Sequence, residues 1–239
     1  KYLDLYENVE FPIPDTFYDN YATRGVATKE QRMRIDEDMS MIYDLKLYGY
    51  EGSTHQYDQG IMLSYALWSM TEDERESWYA AYAEKNKNFF ENQENMTHDD
   101  IVRWKFQRYV KDYLRVIKSV DDSVGEILDY LEANDLMDNT MIVYTSDQGF
   151  YMGEHGWFDK RFMYEQSFRT PLIIHYPGNK GANISNALVQ NLDFGPTFLD
   201  IAGVEKADNM YGQSLLPILE KDGKEPKNWR DVLYYHFYD

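Results

Sequence analysis

The chain has 239 residues, 43% of them hydrophobic, and a formal net charge of −18. That composition supports a packed core and makes nucleic acid and anionic lipid poor partners, since both are polyanions. With no cysteine, disulfides, thiolate-bound zinc and a cysteine-derived nucleophile are excluded within these residues, and no apolar run approaches the roughly 20 residues of a membrane-spanning helix.

Residues 1–30 carry Pro12 and Pro14, which forbid a helix there and favour extended backbone. Asp15 to Tyr21 read as an exposed polar-aromatic loop. Residues 29–48 mix charge with Met, Ile and Leu and suggest one short helix. Gly49 to Gly60 read as a loop, punctuated by Gly49, Gly52 and Gly60. A helix is expected over 72–94, opening on the acidic turn Glu72-Asp73-Glu74, which suits the helix dipole. Thr97-His98-Asp99-Asp100 resembles a capping box with an acid in the last place.

The strongest periodicity follows. Phe106, Tyr109, Val110, Tyr113, Leu114, Ile117, Val120, Val124, Ile127, Leu128 and Leu131 recur at three and four, predicting a helix on the order of 45 Å long at 1.5 Å per residue. Its polar face is basic: Arg103, Lys105, Arg108, Lys111, Arg115 and Lys118. Such a face could meet a polyanion; the plainer reading is a solvated face. Asn134 is expected at the C′ position. Strands are expected at 141–146 and 171–176 around a short helix near 162–168, an order that suggests βαβ packing. Pro177-Gly178 makes a turn, Val189–Leu192 suggests a short strand, and Asp193 an N-cap for a helix over 194–201. Residues 220–229 read as a charged loop and 232–237 as a final strand.

The candidate chemistry lies between Thr145 and Pro177, in TSDQGFYMGEHGWFDKRFMYEQSFRTPLIIHYP. Asp147 and Gln148 place two hard oxygen donors side by side at a strand end, a pattern suited to Ca²⁺ or Mg²⁺ rather than Zn²⁺; the same residues also make an ordinary turn. Lys160 could bind an anion as a point charge. His155, in Gly153-Glu154-His155-Gly156, could hydrogen-bond a substrate or simply support its loop. Glu165 and Arg169 suit an i,i+4 pair. His55, His98, His175 and His236 show no ligand spacing.

These motifs resemble the sulfatases of the alkaline-phosphatase superfamily, of the iduronate-2- and N-acetylglucosamine-6-sulfatase type. The similar features are an Asp-Gln-Gly after a strand, a Gly-x-His-Gly loop, a following Lys, and the Glu-x-Ser-x-Arg-x-Pro-Leu-Ile strand. Asn191-Leu192-Asp193-Phe194-Gly195-Pro196-Thr197 and Tyr211-Gly212-Gln213-Ser214-Leu215 extend the likeness, which covers about residues 100–220.

The resemblance implies an α/β fold, part of an alkaline-phosphatase-like sandwich with a mixed, mostly parallel sheet flanked by helices. Residues 1–220 would be the middle and C-terminal part of the catalytic domain, and 221–239 the start of a truncated C-terminal subdomain. Asp147 and Gln148 would ligate Ca²⁺, Lys160 would hold the sulfate oxygens, and His155 would join it as a catalytic residue. The substrate would be a sulfated, glycosaminoglycan-type carbohydrate, and the compartment periplasmic, cell-surface, secreted or lysosomal. A phosphoester or phosphonate hydrolase, or a non-catalytic sulfatase-like protein, is the alternative.

The family's formylglycine nucleophile arises from Cys or Ser in a (Cys/Ser)-x-Pro-x-Arg motif, which these residues lack, as they lack a signal peptide. By themselves they are therefore expected to hydrolyse no sulfate ester, to bind Ca²⁺ weakly, and to self-associate through uncovered sheet surface.

Overall fold

The computed structural model describes residues 1–53, 55, 67–177 and 181–236. Half of the expected 49–60 loop, together with Gly178 and Phe237, lies outside them. The chain divides into two compact units: Lys1–Glu126 with Phe150–Lys160, and Ile127–Gly149 with Arg161–Asp239.

The first unit begins with turns and one short helix, α1 (Val26–Glu30). Residues 31–48 form turns rather than the expected helix. Side chains there take over backbone donors: Arg34 N–H donates to Asp38 Oδ2 (2.9 Å), Ser40 N–H to Asp44 Oδ2 (2.8 Å) and Tyr43 N–H to Ser40 Oγ (2.8 Å). Such local bonds compete with a helix. They turn Met33, Ile35, Met39, Met41, Leu45 and Leu47 inward, and all six are buried. In the expected exposed loop over 15–21, Asp15, Thr16, Tyr18 and Asn20 are exposed, whereas Phe17 and Tyr21 turn inward and are buried.

Helix α2 (Glu72–Asn92) starts on a Thr71–Glu74 capping box, and α3 (His98–Ala133) on the Thr97–Asp100 pair, whose carboxylate accepts from Thr97 N–H at 2.9 Å. Phe89, Val102, Phe106 and Val110 close the core over the Met and Leu side chains of 31–48.

The basic face of α3 is only in part the solvated face expected: the Arg103 side chain is 50% exposed and that of Lys118 40%, paired within the helix to Asp99 and to Asp121 and Asp122. Lys105, Arg108 and Arg115 are buried. Lys105 Nζ donates to Asp36 O (2.8 Å) and Arg108 to Asn86 Oδ1 (2.6 Å). Arg115 pairs with Asp112 (2.6 Å) and Glu7, and gives Nε–H to Leu5 O (2.9 Å). Lys111 reaches Glu7 O (2.9 Å). Burial lowers the Arg108 pKa, while the Tyr82 and Trp104 rings, 5.1 and 5.3 Å away, face its guanidinium. The face thus docks the first ten residues and α2.

In the second unit α3 ends in a Schellman motif: Leu136 N–H donates to Leu131 O (2.9 Å) and Asp135 N–H to Glu132 O (3.2 Å). The left-handed residue is Asp135 (φ 55°), one place beyond the expected Asn134. Strands β1 (Ile142–Thr145) and β2 (Leu172–His175) pair antiparallel, Ile142 opposite His175 and Thr145 opposite Leu172. The expected βαβ packing is therefore absent from this pair, because the intervening helix α4 (Glu165–Phe168) is a single turn, too short to carry a crossover. Arg169 meets Glu165 through its backbone N–H (2.8 Å to Glu165 O).

Helix α5 (Phe194–Ile201) lies where expected, with Pro196 in its first turn, and α6 (Leu216–Leu219) follows. Residues 191–193 form a 3₁₀ turn instead of the end of a strand, and 232–236 form no strand. Among the described residues no helix is long and apolar enough to cross a membrane.

Candidate functional site

The four candidate residues fall in both units, and each group is built locally. His155 and Lys160 belong to the first. There residues 150–160 fold back on themselves, Tyr151 N–H donating to Asp159 O (2.8 Å) and Gly153 N–H to Trp157 O (3.0 Å). The loop is fastened to residues 33–35 by Phe158 N–H to Met33 O (2.9 Å) and Ile35 N–H to Gly156 O (2.9 Å). Gly153 has φ 103°, and a Cβ there would meet the Phe106 ring at 2.6 Å, so the bend needs glycine. Trp157 and Tyr151 are fully buried beneath it, ring centroids 5.2 Å apart.

His155 adopts φ 59° and is 7% exposed. Its N–H donates to Thr16 Oγ1 (3.1 Å), its carbonyl accepts from the Tyr21 hydroxyl (2.5 Å), and its Nδ1 lies 3.1 Å from Asp19 Oδ2. A hydrogen bond from Tyr21 N–H holds the Asp19 carboxyl below its usual range, and burial pushes the Tyr21 hydroxyl up to about 12. The imidazole is thus gripped by the 15–21 segment, which favours its loop-supporting role. Thr16, Asp19 and Tyr21 are functional partners that sequence reasoning missed, because they lie over 130 positions away.

Lys160 differs. Its side chain is 42% exposed, with Nζ 3.7 Å from Asp159 Oδ1 and 5.8 Å from the Phe150 ring centroid. Phe150 in turn stacks on Tyr113 at 5.4 Å. A half-exposed ion pair of that length holds the ammonium weakly, so it can meet an anion.

Asp147 and Gln148 belong to the second unit, in the turn leaving β1. Asp147 is exposed. Ser146 Oγ donates to Gln148 O (2.8 Å), and Gly149 N–H to Ser167 O (2.9 Å). A Cβ on Gly149 would fall 2.1 Å from Gln166 O, so only glycine lets the two segments approach. From the other side, Asn191 Nδ2 donates to Asp147 O (3.0 Å) and Ser146 O (3.4 Å). The side-chain oxygens of Asp147 and Gln148 are hard donors that suit a cation such as Ca²⁺ and would supply two of the six to eight ligands it takes. Among the described residues no cluster of three or more His, Cys, Asp or Glu forms a complete metal site.

Asp193 stands at the N-cap position of α5, as expected, but its side chain is fully buried and makes no capping bond to that helix. Its carboxylate accepts from Gln190 N–H (2.9 Å), Gln213 N–H (2.8 Å) and both Arg230 nitrogens (2.6 and 2.7 Å).

Comparison with known proteins places this geometry. Residues 153–239 match the family model described as N-sulphoglucosamine sulphohydrolase, C-terminal. The whole chain aligns at 42% identity, over 240 residues, with an N-acetylglucosamine-6-O-sulfatase of Bacteroides thetaiotaomicron, covering 42% of that protein. It also superposes, with TM-score 0.89 and 43% identity, on a structure solved in complex with its substrate D-glucosamine-2-N,6-O-disulfate, covering 100% of this chain and 48% of that one.

Over its full length the chain is similar to sulfatases.

The chain spans less than half the length of those two relatives. Half of it (49%) also aligns at 38% identity with a Drosophila melanogaster protein named as an extracellular sulfatase SULF-1 homologue, covering 11% of that protein. The expected fold class stands: the chain is a segment of an alkaline-phosphatase-like α/β fold, to which its described residues contribute one antiparallel strand pair.

Proposed function

We propose that the protein containing this chain is a sulfuric ester hydrolase that removes sulfate from a glucosamine-type sugar of a glycosaminoglycan. One observation carries the reading: the match to the N-acetylglucosamine-6-O-sulfatase runs the full length of the chain. Hydrolysis breaks the bond between sulfur and the sugar oxygen. Water supplies an oxygen to sulfur and a proton to the sugar, so charge builds on the bridging oxygen as the bond parts.

Ca²⁺ would be held in part by the Asp147 and Gln148 side-chain oxygens, and when bound it would neutralise charge on the sulfate. Lys160, half-exposed and weakly paired, would donate to the sulfate oxygens and stabilise the charge developing on the bridging oxygen. His155 would hold the loop that presents Lys160, through Thr16, Asp19 and Tyr21. These residues include no (Cys/Ser)-x-Pro-x-Arg motif, so the nucleophile is not among them. Work outside the cytoplasm fits the extracellular relative, and self-association through the exposed Ile173 face of β2 belongs to the same proposal.

A panel assay of the whole protein tests the reading. Sulfate release is expected from glucosamine sulfated at O6, with phosphonate and phosphate monoesters turned over at least about 100-fold more slowly, a ratio equal to about 2.7 kcal/mol of transition-state preference. Preference for the phosphorus esters would replace the sulfatase reading with the phosphonate-hydrolase alternative. No turnover of either class would favour the non-catalytic one.

A further inference from the structure

We propose that Asn191 is a positioning residue for the Asp147–Gln148 turn, fixing the direction of the Asp147 side chain before any cation arrives. The inference rests on reading that turn as a Ca²⁺ half-site, and it concerns a residue outside that ligand pair.

The argument is geometric. One amide nitrogen, Asn191 Nδ2, carries two hydrogens and faces two successive carbonyls, Asp147 O at 3.0 Å and Ser146 O at 3.4 Å. Those carbonyls belong to the two peptide planes on either side of the Asp147 Cα. Holding both planes sets φ and ψ of Asp147, and with them the line along which its Cβ and carboxylate leave the backbone. The next plane is held separately, by Ser146 Oγ donating to Gln148 O (2.8 Å) and Gly149 N–H to Ser167 O (2.9 Å). Every peptide around the two oxygen donors is thereby anchored, whereas Asp147 itself remains exposed at the surface.

Asn191 needs a fixed base to act from, and it has one. It opens the 3₁₀ turn Asn191–Asp193, whose last residue is fully buried and bound by Gln190 N–H, Gln213 N–H and the Arg230 fork. The rigid ion pair two residues away thus holds in place an exposed amide that would otherwise have little energy of its own. Residues that orient a metal's ligands without touching the metal alter affinity by about 10- to 100-fold when removed.

The test is calorimetric titration of the whole protein with Ca²⁺, comparing wild type with Asn191→Ala, Asn191→Leu and Asp147→Ala, alongside their melting temperatures. Asn191→Leu keeps the bulk and removes the donors. Both Asn191 variants are expected to bind Ca²⁺ about 10-fold more weakly, at the lower end of that range because the amide is exposed, with melting temperature nearly unchanged. Asp147→Ala is expected to abolish the binding heat. If Asp147→Ala abolishes binding but both Asn191 variants stay within twofold of wild type, the positioning role is overturned and the half-site stands. If Asp147→Ala leaves binding intact, the half-site reading fails and the positioning role fails with it.

Discussion

Lys160→Ala in the whole protein is expected to lower kcat/KM for a 6-O-sulfated glucosamine by about 10²- to 10³-fold, with most of the loss in kcat. The reason lies in how loosely the ammonium is held. Its ionic neighbour among the described residues, Asp159, is 3.7 Å away, and the side chain is 42% exposed, so the cation is held only weakly by the fold. Charge on the sulfate is already present in the bound ester, but charge on the bridging oxygen appears only as the bond breaks. A group aimed at that oxygen is felt in kcat; one that merely binds sulfate is felt in KM. Lys160→Arg should recover only part of the activity, since a planar fork does not reproduce a compact point charge. Steady-state kinetics on the three proteins decide it. A rise in KM with kcat intact would reduce Lys160 to a binding group, and wild-type kinetics would remove it from the site.

The second large effect concerns stability. Arg230→Met leaves the Asp193 carboxylate fully buried without its guanidinium partner, while Gln190 N–H and Gln213 N–H still bind it. Removing one member of a buried pair costs about 3–5 kcal/mol, because the remaining charge stays desolvated. For a domain of this size that corresponds to a melting temperature lower by about 6–20 °C. The double variant Asp193→Leu with Arg230→Met should be less damaged than Arg230→Met alone, since it removes the stranded charge. Thermal denaturation of the whole protein checks both. A shift below about 2 °C for Arg230→Met would show that the pair is screened or replaceable.

Local chemistry explains which parts of this structure could be read from the sequence. The acidic turn Glu72-Asp73-Glu74 and the Thr97–Asp100 pair announce helix starts within four residues, and both helices begin there. The three-and-four recurrence from Phe106 to Leu131 likewise marks α3, since periodicity is a property of the helix itself. The Asp147–Gln148 turn was legible for the same reason: a short apolar strand delivers it.

What remained hidden depends on distant partners. The basic residues of α3 look solvated until Leu5, Glu7, Asp36 and Asn86 are brought against them. Asp193 looks like a cap because it precedes a helix, yet Arg230, 37 positions on, takes its carboxylate. Residues 31–48 have enough Met, Ile and Leu for a helix, but Asp38, Asp44 and Ser40 divert the backbone donors into turns. The antiparallel pairing of β1 with β2 was equally unreadable, since strand spacing carries no direction.

The central claim is that the turn after β1 is the oxygen-ligand half of a sulfatase's metal site. Its most direct test is the metal dependence of sulfate release by the whole protein after exhaustive chelation. Loss of turnover on chelation, with recovery on adding Ca²⁺ and little recovery on adding Zn²⁺, is the predicted result. Turnover that survives chelation, or that Zn²⁺ restores and Ca²⁺ does not, would contradict it.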